Sequence, residues 1–417
     1  MPHKVKDIKL AKQGKINIEL AQREMPVMAI IAKDFKKKQP LKNITVACCL
    51  HVTKETAVLA RALAAGGAKV AICGSNPLST QDDVAAALAQ EGVNVFAWKG
   101  ISNKDYYRTL NKILDFKPQI IIDDGADVIS LIHSHRAELL KTLWAGQEET
   151  TTGVIRLKAM AKDAALKFPV VAINDTPTKH MFDNYYGTGQ STMDGLLRAT
   201  NILLSGKVVV VAGYGYCGKG IALRAKGLGA RVVVTEVDPL PALQASMDGF
   251  EVMPMARAAG IGDVFLTATG DKDVIVGRHV KLMKDGAILG NSGHFNVEIN
   301  SSDLHRLSKN HRKVRGQVEE FTLKNGRHIY LIAQGRLMNL AAAEGHPSAV
   351  MDMSFADQAL ICEWLVKNHQ RLQKRVYNVP DEIDKKVSRL KLAGMGVKID
   401  VLTPAQKNYL ASWEEGT

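Results

Sequence analysis

Four segments within residues 1–185 carry side chains suited to acid–base chemistry. They are His51-Val-Thr53-Lys-Glu55, Asp123-Asp124, Glu148-Glu149-Thr150-Thr151-Thr152 and Lys179-His-Met-Phe-Asp183. Imidazole, carboxylate and ammonium groups are the usual proton donors and acceptors in enzymes. In a helix, Lys179 and Asp183 would lie on one face because they are four residues apart. Each segment taken singly also fits a structural interpretation as a helix cap, a turn or a surface ion pair.

A glycine-rich segment past the middle of the chain predicts a dinucleotide-binding turn. An apolar run at 208–211 leads into Gly213-Tyr-Gly215-Tyr-Cys-Gly218, and a helix-like stretch follows. Gly213 permits a tight turn, Gly215 lets the backbone approach a pyrophosphate, and Gly218 allows close packing of helix on strand. The free N–H groups at the start of that helix attract phosphates. Glu236 ends the next strand-like run, where its carboxylate can accept hydrogen bonds from ribose hydroxyls and favours NAD over NADP.

The elements that must position these side chains alternate between strand-like and helix-like patterns. Residues 44–50, 69–73, 94–98, 119–124 and 170–174 are apolar runs typical of buried strands, and residues 56–63 are typical of a helix. Buried strands separated by helices predict a parallel sheet that is covered on both faces. Ligands bind at the carboxyl ends of such strands, which is where His51, Asp124 and Asn174 lie.

A second unit with the same pattern begins near Gly206 and contains strand-like runs at 208–211, 231–236, 263–267 and 287–290. We therefore predict an α/β protein with two doubly wound Rossmann-like domains and a small helical C-terminal tail. The predicted substrate domain comprises residues 1–185 together with 346–380, through a helix at about 351–368. The predicted NAD domain is 186–345, and the tail is 381–417.

Composition limits the partners and the compartment. The chain has 55 Lys and Arg against 42 Asp and Glu, a formal net charge of +13, but the charge is spread out and no nucleic-acid-binding motif accompanies it. No apolar run is long enough to span a bilayer, so we expect no membrane partner. Five cysteines without metal-ligand or disulfide-type spacing indicate a reducing, cytoplasmic location and no catalytic transition metal.

Read in order along the chain, these segments resemble S-adenosyl-L-homocysteine hydrolase. The matching motifs are Leu50-His-Val-Thr-Lys-Glu-Thr56, Asn76-Pro-Leu-Ser-Thr-Gln-Asp82, Asp123-Asp-Gly-Ala-Asp127, Glu148-Glu-Thr-Thr-Thr-Gly153, Phe182-Asp-Asn184, Gly213-Tyr-Gly215, Gly293-His-Phe295 and Gly345-His-Pro347. The resemblance covers nearly the whole chain and keeps the order of the motifs. The chain ends without the terminal Lys/Tyr extension of many members, as in the short prokaryotic type.

The resemblance implies hydrolysis of a thioether through a temporary oxidation. Tightly bound NAD, one per subunit, would take a hydride from C3′ of the adenosyl ribose, and the resulting ketone would make the C4′ hydrogen acidic. Homocysteine could then be eliminated, water could add at C5′, and return of the hydride would release adenosine. The net reaction, a step of the methyl cycle in one-carbon metabolism, is reversible and consumes no reductant.

The resemblance also assigns roles to single residues. Lys179 and Asp183 would contact the 3′-hydroxyl, and we expect burial near NAD⁺ to lower the pKa of the lysine. Asp124, Glu149 and His51 would act around the 4′ and 5′ positions. The predicted catalytic residues are His51, Asp124, Glu149, Lys179, Asp183 and His294. The predicted substrate contacts are Thr53, Glu55, Asp124, Glu149, Lys179, Asp183 and His346. The predicted NAD contacts are Thr150, Thr151, Thr152, Asn184, Gly213, Gly215, Gly218, Glu236, Asn291 and Asn339.

The chain departs from the family pattern at several positions. Thr188 stands where many members carry cysteine, so we expect no thiol near the NAD to tune its redox chemistry. Asn296 replaces a common aspartate, and Pro241 replaces an asparagine that touches the NAD ribose. With the short C-terminus, these changes predict faster exchange of NAD. A monovalent cation near His346 is left open, because residue types alone do not establish it.

Three other functions stay open. Hydrolysis of S-inosyl-L-homocysteine would use the same mechanism, but the Glu55 carboxylate can accept from the 6-amino group of adenine and would face a carbonyl oxygen in hypoxanthine, which favours the adenosyl compound. A plain NAD-dependent dehydrogenase would release NADH with each turnover. A catalytically silent binding protein is disfavoured by the intact acid–base residues. The family also implies a homo-oligomer, either a tetramer or a dimer.

Overall fold

The computed structural model describes residues 2–413, which form two β-sheets flanked by helices. Residues 414–417, the end of the predicted tail, lie outside the described residues. The strands, numbered along the chain, are β1 (Thr45–Cys49), β2 (Lys69–Cys73), β3 (Asn94–Phe96), β4 (Ile120–Asp123), β5 (Ala145–Glu148), β6 (Val170–Ala172), β7 (Val208–Ala212), β8 (Arg231–Thr235), β9 (Glu251–Val252), β10 (Val264–Thr267), β11 (Ala287–Asn291), β12 (Ser308–Arg315), β13 (Val318–Leu323), β14 (His328–Ile332) and β15 (Val376–Asn378).

Helices connect most of these strands. They are α1 (Ala11–Arg23), α2 (Pro26–Lys38), α3 (Lys54–Ala65), α4 (Asp82–Gln90), α5 (Asn103–Leu114), α6 (Asp127–His135), α7 (Thr151–Lys162), α8 (Pro177–Lys179), α9 (Thr188–Thr200), α10 (Tyr216–Gly227), α11 (Pro239–Met247), α12 (Met255–Ala259), α13 (Gly277–Val280), α14 (Ser301–Leu307), α15 (Met338–Ala341), α16 (Ser348–Asn368), α17 (Asp381–Gly394) and α18 (Pro404–Ala411). A π-helical turn, His180–Gly187, joins α8 to α9. None of the described helices is both long enough and apolar enough to cross a bilayer.

The first sheet is parallel throughout and has the strand order β15-β6-β5-β4-β1-β2-β3. β1 pairs with β2 on one side and with β4 on the other, so the chain reverses its direction of travel across the sheet between them. In a doubly wound sheet, the connections on either side of this point diverge and leave a crevice at the carboxyl ends of the strands. The crevice therefore lies where β1 ends before His51 and where β4 ends before Asp124.

The second sheet has the order β12-β13-β14-β11-β10-β7-β8-β9. Its reversal lies between β7 and β10, which pair in parallel, so the glycine-rich turn after β7 opens into a similar crevice. At the far edge, β13 runs antiparallel to both of its neighbours, β12 and β14. The charged edge strand β12 is almost entirely exposed.

Alternating side chains bury both faces of the first sheet. On β1, Val46 and Cys48 point into one apolar cluster, while Ala47 and Cys49 point into the other. The second sheet likewise separates two clusters, because Val209 and Val211 of β7 pack on one face and Val210 packs on the opposite face. Such continuous apolar strands are what a sheet covered on both faces requires.

The two helices of the tail differ in their environment. Ile383 and Val387 of α17 are buried in the same apolar cluster as α2 and α16, and Lys391 donates to the buried carboxylate of Asp352 at 2.9 Å. In contrast, every described residue of α18 is exposed. The first helix of the tail is therefore part of the packed body of the first sheet.

The predicted fold class is confirmed: both sheets are doubly wound, and the helical tail is present. The predicted strands 69–73 and 208–211 correspond closely to β2 and β7. The pattern did not predict β5, because Ala-Gly-Gln-Glu lacks the β-branched residues of a typical buried strand, although all four residues are buried between β4 and β6. It also did not predict the hairpin of β12 and β13, since β12 carries charge at its exposed positions.

Candidate active site

A cavity of about 1350 Å³ is lined by residues that follow the strands of both sheets. It collects most of the residues predicted from the sequence. These are His51, Thr53, Glu55, Asp124, Glu149, Thr150, Thr151, Thr152, Lys179, Asp183, Asn184, Gly213, Gly215, Glu236, His294, Asn339 and His346. Gly218 and Asn291 are outside its lining. The crevice of the first sheet and the crevice of the second sheet therefore both open into this cavity.

Lys179 lies between two carboxylates on one side of the cavity. Its side chain is 5 % exposed, and its Nζ lies 3.4 Å from Glu149 Oε1 and 3.3 Å from Asp183 Oδ1. The same Nζ donates to Asn184 Oδ1 at 2.8 Å. Because α8 gives way to the π-helical turn immediately after Lys179, the ammonium group and Asp183 meet on one face of a locally widened helix.

The charges around Lys179 set its pKa in the opposite direction to the prediction. Burial acts to lower the pKa of Lys179, but the carboxylates of Asp183 and Glu149 outweigh it and raise this pKa above its ordinary value. The predicted lowering was therefore wrong for the chain's own residues, because two acids face one ammonium group. Although burial acts to raise it, the pKa of Asp183 is held below its ordinary value by Lys179 and His346.

Glu149 is the carboxyl group of this site that can change its charge near neutral pH. Burial raises the pKa of Glu149 to about 8, with Lys179 opposing that shift and Asp183 adding to it. The side-chain amide of Gln358 donates to Glu149 Oε2. A carboxyl group with a pKa near the working pH suits both donation and acceptance of a proton.

We expect replacement Glu149→Gln to change the pH dependence of the stability of the cofactor-free protein. The folded pKa is about 8, whereas the unfolded pKa is about 4.3, so folding takes up a proton between these values. Stability of the wild type should therefore fall, relative to the variant, by roughly 1.4 kcal/mol for each pH unit gained in that window. Urea unfolding across this range measures the difference. Glu138→Gln, at an exposed carboxylate, is the control, and a pH-independent difference would contradict the expectation.

A second cluster joins His51, Asp124 and His294. His51 Nε2 lies 3.2 Å from Asp124 Oδ2, and His294 Nδ1 lies 3.5 Å from Asp124 Oδ1. Ser79 Oγ lies 2.7 Å from His51 Nδ1, and this contact orients the ring. Burial lowers the pKa of His51 to about 4, so the imidazole is neutral and able to accept a proton at neutral pH.

The same three side chains have ligand atoms within 4.8 Å of one another, which is close enough for one metal ion. Two imidazoles and one carboxylate are a ligand set that several transition metals accept. The expectation of no catalytic transition metal therefore stays a prediction. Its basis is the absence of metal-type spacing in the sequence, and in the structure Asp124 Oδ2 also accepts a hydrogen bond from Ser75 at 3.2 Å.

In the pairs Asp123–Asp124 and Glu148–Glu149, the first acid binds backbone N–H groups and the second faces the cavity. Asp123 accepts from the backbone N–H groups of Ile129 and Asp124, at 2.8 and 3.0 Å. Glu148 accepts from the backbone of Gly125 at 2.8 Å and from two further N–H groups, and this fixes the loop after β4. The next residue in each pair, Asp124 or Glu149, faces the cavity.

The glycine-rich turn has the shape that a pyrophosphate requires. Gly213 has a φ of +93°, in the left-handed region that favours glycine, and a Cβ on Gly218 would lie 1.9 Å from the carbonyl oxygen of Gly213. No atom lies within 4 Å of where a Cβ on Gly215 would be, so its backbone is open to the cavity. Glu236 accepts from the backbone N–H of Tyr214 at 2.7 Å, which fixes its carboxylate at the end of β8.

The remaining predicted NAD contacts fall into two groups. Thr150, Thr151 and Thr152 start α7 and face the cavity, where Thr151 donates to Asn174 Oδ1 at 3.1 Å. Asn339 is buried, and its Oδ1 has no hydrogen-bond partner among the described residues. Asn291 is different, because its amide donates to three backbone carbonyls and its Oδ1 accepts from Gly293, so the side chain holds the loop that carries His294.

The prediction that no thiol lies near this site was wrong. Thr188 does occupy its position on α9, but Cys217 Sγ of α10 lies 3.5 Å from Thr188 Oγ1 and lines the same cavity. Burial raises the pKa of the Cys217 thiol. The sequence could not indicate this contact, because the two residues lie on different helices that meet only in the fold.

The lining of the cavity includes another buried carboxylate, Glu55, which is 1 % exposed. Ser348 donates to Glu55 Oε1 at 2.6 Å, and Lys54 Nζ lies 3.4 Å from the same oxygen. His346 Nδ1 lies 3.1 Å from Asp183 Oδ1, so the imidazole of His346 contacts an acid that flanks Lys179. Thr53 precedes α3 and caps its N-terminus.

Two family models match this chain. The model of S-adenosyl-L-homocysteine hydrolase matches residues 2–145, and the model of its NAD binding domain matches residues 184–345. The chain belongs to the S-adenosyl-L-homocysteine hydrolase family. Membership makes it an enzyme that uses NAD, which agrees with the fit of the glycine-rich turn.

Full-length relatives support the same assignment. The chain is 57% identical to the S-inosyl-L-homocysteine hydrolase of Methanocaldococcus jannaschii and to the adenosylhomocysteinases of Saccharolobus solfataricus and Aquifex aeolicus. In each comparison the match covers 100% of both chains. Among solved structures, a dipicolinate synthase chain from Bacillus halodurans matches with a TM-score of 0.50 at 14% identity, over 78% of this chain and 99% of that one, which shows the fold alone.

Sequence reasoning missed one set of residues in this member of the hydrolase family. Ser354 donates to Asp183 Oδ2 at 3.0 Å, and Gln358 donates to Glu149, so α16 reaches both acids that flank the lysine. Both side chains are fully buried. The signal in the sequence was a buried apolar helix that places polar residues at a spacing of three and four, and this spacing puts them on one face.

Proposed function

We propose that the enzyme catalyses the reversible hydrolysis of S-adenosyl-L-homocysteine to adenosine and L-homocysteine. The observation that carries this proposal is the buried ammonium group of Lys179 between Glu149 and Asp183, in the same cavity as the dinucleotide turn. Oxidation and reduction of a sugar carbon need a proton acceptor beside the cofactor. Elimination and addition of water need further acid–base groups, which the cluster of His51, Asp124 and His294 supplies.

The cavity fits the cofactor. Gly213, Gly215 and Gly218 would lie under the pyrophosphate, Glu236 would accept from the adenosine ribose, and the unpartnered amide oxygen of Asn339 would meet a donor. Bound NAD⁺ supplies reversible hydride acceptance from C3′. Thr150, Thr151, Thr152 and Asn184 are proposed as further contacts. Asn291 supports this site indirectly by holding the loop of His294.

Lys179 and Glu149 act as one proton-transfer unit on the 3′-hydroxyl. At rest the lysine carries its proton, because its pKa is raised. Glu149 has a pKa of about 8 and lies 3.4 Å away, so its ionised form can take the proton of Lys179 while the lysine takes that of the 3′-hydroxyl, and the proton returns by the same route on reduction. Asp183 orients the 3′-oxygen and keeps its own charge. Once the 3′-carbon is a ketone, Asp124 and His51 remove the C4′ proton and later direct water to C5′, while His294 holds the sugar.

Glu55 is proposed to select between adenine and hypoxanthine in the substrate. Its buried carboxylate accepts a hydrogen bond from Ser348, and it can accept another from the 6-amino group of adenine. With hypoxanthine it would face a carbonyl oxygen, at a cost of about 1–3 kcal/mol for an unpaired buried acceptor. Thr53 and His346 are the proposed neighbouring contacts.

Hydrolysis of S-inosyl-L-homocysteine is the second candidate. It is favoured by one observation, since Lys54 Nζ lies 3.4 Å from Glu55 Oε1 and could donate to a 6-oxo group. A relative of each name is 57% identical to the chain, so overall identity does not distinguish the adenosyl from the inosyl substrate. The residues around the base must make that distinction.

A side-by-side assay of the two thioethers tests both candidates. We expect kcat/KM for the adenosyl compound to exceed that for the inosyl compound by about 10- to 100-fold, the equivalent of one unpaired buried group. No NADH should accumulate in solution, whereas deuterium placed on C3′ of the substrate should appear transiently on the bound nicotinamide. Equal turnover of both compounds would remove Glu55 as the selector. Net NADH release would indicate a plain dehydrogenase.

We further propose the division into a substrate domain (1–185 with 346–380), an NAD domain (186–345) and a tail (381–417), in which α17 packs on the substrate domain and α18 is exposed. Support comes from the two sheets, which have separate apolar clusters.

A homotetramer or homodimer is proposed because α18 leaves Leu410 and Tyr409 exposed. A cytoplasmic location is proposed because the cysteines of the described residues are free thiols. Nucleic acids and membranes are not proposed as partners.

A further inference from the structure

Thr178, which immediately precedes Lys179, lies between two carboxyl groups. Its Oγ1 is 2.9 Å from Asp357 Oδ2 and also contacts Asp384 Oδ1. Its backbone N–H donates to the same Asp384 Oδ1 at 3.0 Å. Asp357 comes from α16 and Asp384 from α17, so two C-terminal helices meet at the residue next to the proposed catalytic lysine.

The count of hydrogens at this junction locates a proton. A threonine hydroxyl has one hydrogen, so it can donate to only one of the two acids. The backbone N–H and the hydroxyl of Thr178 converge on Asp384 Oδ1, and an ionised carboxylate oxygen can accept both. With the hydroxyl hydrogen on Asp384, the 2.9 Å contact between Thr178 Oγ1 and Asp357 Oδ2 is a hydrogen bond only if Asp357 is a neutral carboxylic acid that donates to Thr178. Burial raises the pKa of Asp357 well above its ordinary value, and the charges of Asp384 and Glu149 add to this shift.

The polar face of α16, formed by Ser354, Asp357 and Gln358, thus touches both acids that flank Lys179 and the residue that precedes it. Ser354 donates to Asp183, Gln358 donates to Glu149, and Asp357 contacts Thr178, which fixes the start of the Lys179 side chain. All three side chains are fully buried. Asp384 completes this arrangement from the opposite side, because it holds both the N–H and the hydroxyl of Thr178.

We propose that Asp384 of the C-terminal tail is a positioning residue for Lys179, and that it acts through Thr178 and a protonated Asp357. The proposal rests on the hydrolase function proposed above. Misplacement of a reacting group by about 1 Å can cost up to roughly 100-fold in rate. Loss of Asp384 would therefore slow the chemical step at C3′ while leaving the contacts of substrate and cofactor in place.

Three variants of the full-length, NAD-loaded enzyme test the positioning role of Asp384 and the protonated state of Asp357. Asp384→Ala should lower kcat about 10- to 100-fold, in line with a misplaced reacting group, while KM and bound NAD stay within about twofold. Asp384→Asn keeps an oxygen acceptor and should restore most of kcat. Asp357→Asn keeps a neutral donor and should stay near wild type. Glu382→Ala, at an exposed acid in the same first turn of α17, is the matched control.

The outcomes separate the proposals. Wild-type kcat in Asp384→Ala would overturn the positioning role, and a loss in Asp357→Asn as large as that in Asp384→Ala would overturn the protonated state. If Asp384→Ala does not fold, as judged by thermal unfolding, Thr178→Val replaces it and should show the same loss of kcat; wild-type kcat there would overturn the role. A wild-type enzyme inactive on both thioethers would instead refute the proposed function.

Discussion

Lys179→Ala should lower the rate of oxidation at C3′ by about 10³-fold, within the range that general acid–base groups contribute. Removal of the ammonium group takes away the partner of both Glu149 and Asp183 in the cavity. The fold should survive, because Glu149 has a pKa of about 8 and can remain protonated beside Asp183. Single-turnover absorbance of the reduced nicotinamide measures the oxidation directly, and circular dichroism checks the fold.

A surface lysine provides the matched control for this experiment. Lys367 is 64% exposed and pairs with Glu363 at 2.5 Å, so Lys367→Ala removes an ammonium–carboxylate pair without touching the cavity. An exposed pair contributes about 0–1 kcal/mol to stability, and we expect activity to be unchanged. Wild-type oxidation in Lys179→Ala would take the lysine out of the mechanism.

Gly218→Ala is expected to abolish tight binding of NAD. A Cβ there would lie 1.9 Å from the carbonyl oxygen of Gly213, so α10 would have to move away from the turn that is to hold the pyrophosphate. Overpacking of this kind costs about 1–3 kcal/mol, which corresponds to roughly 5- to 150-fold in affinity if it falls on the bound state. Release of NAD can be followed by equilibrium dialysis of the purified protein.

Gly227 offers the control on the same helix. It ends α10, and no atom lies within 4 Å of where its Cβ would be, so Gly227→Ala adds a methyl group without a clash. Alanine in place of a helical glycine stabilises by up to about 1 kcal/mol. NAD affinity should stay at the wild-type value. Equal affinities of the two alanine variants would show that the close approach at Gly218 has no role in binding.

Much of the site was predictable, because its residues follow strands. Polar residues after β1 and β4 and the glycines after β7 lie at the carboxyl ends of parallel strands, and a doubly wound sheet brings such ends together. The motif order then indicated the family. The direction of the Lys179 pKa was not predictable, since it depends on two acids, one from the next turn of chain and one from the start of α7.

Contacts between segments that are distant in the sequence could not be predicted from the sequence pattern. Cys217 meets Thr188, and α16 places Ser354 and Gln358 against acids that lie about 170 to 210 residues earlier in the chain. Asp384 reaches Thr178 from the tail, whose composition indicated only a charged appendage. Such pairs have no local spacing, so neither periodicity nor capping rules can indicate them.

The sequence by itself determined the two α/β units, the dinucleotide turn and the list of acid–base side chains, because strand periodicity, glycine geometry and residue chemistry are local properties. Only the tertiary structure decided which member of each acid pair faces the cavity, which groups hold protons and which helices hold Lys179 in place. Those features depend on burial and on the distances between charges, and both are set only when the two sheets and the C-terminal helices pack together.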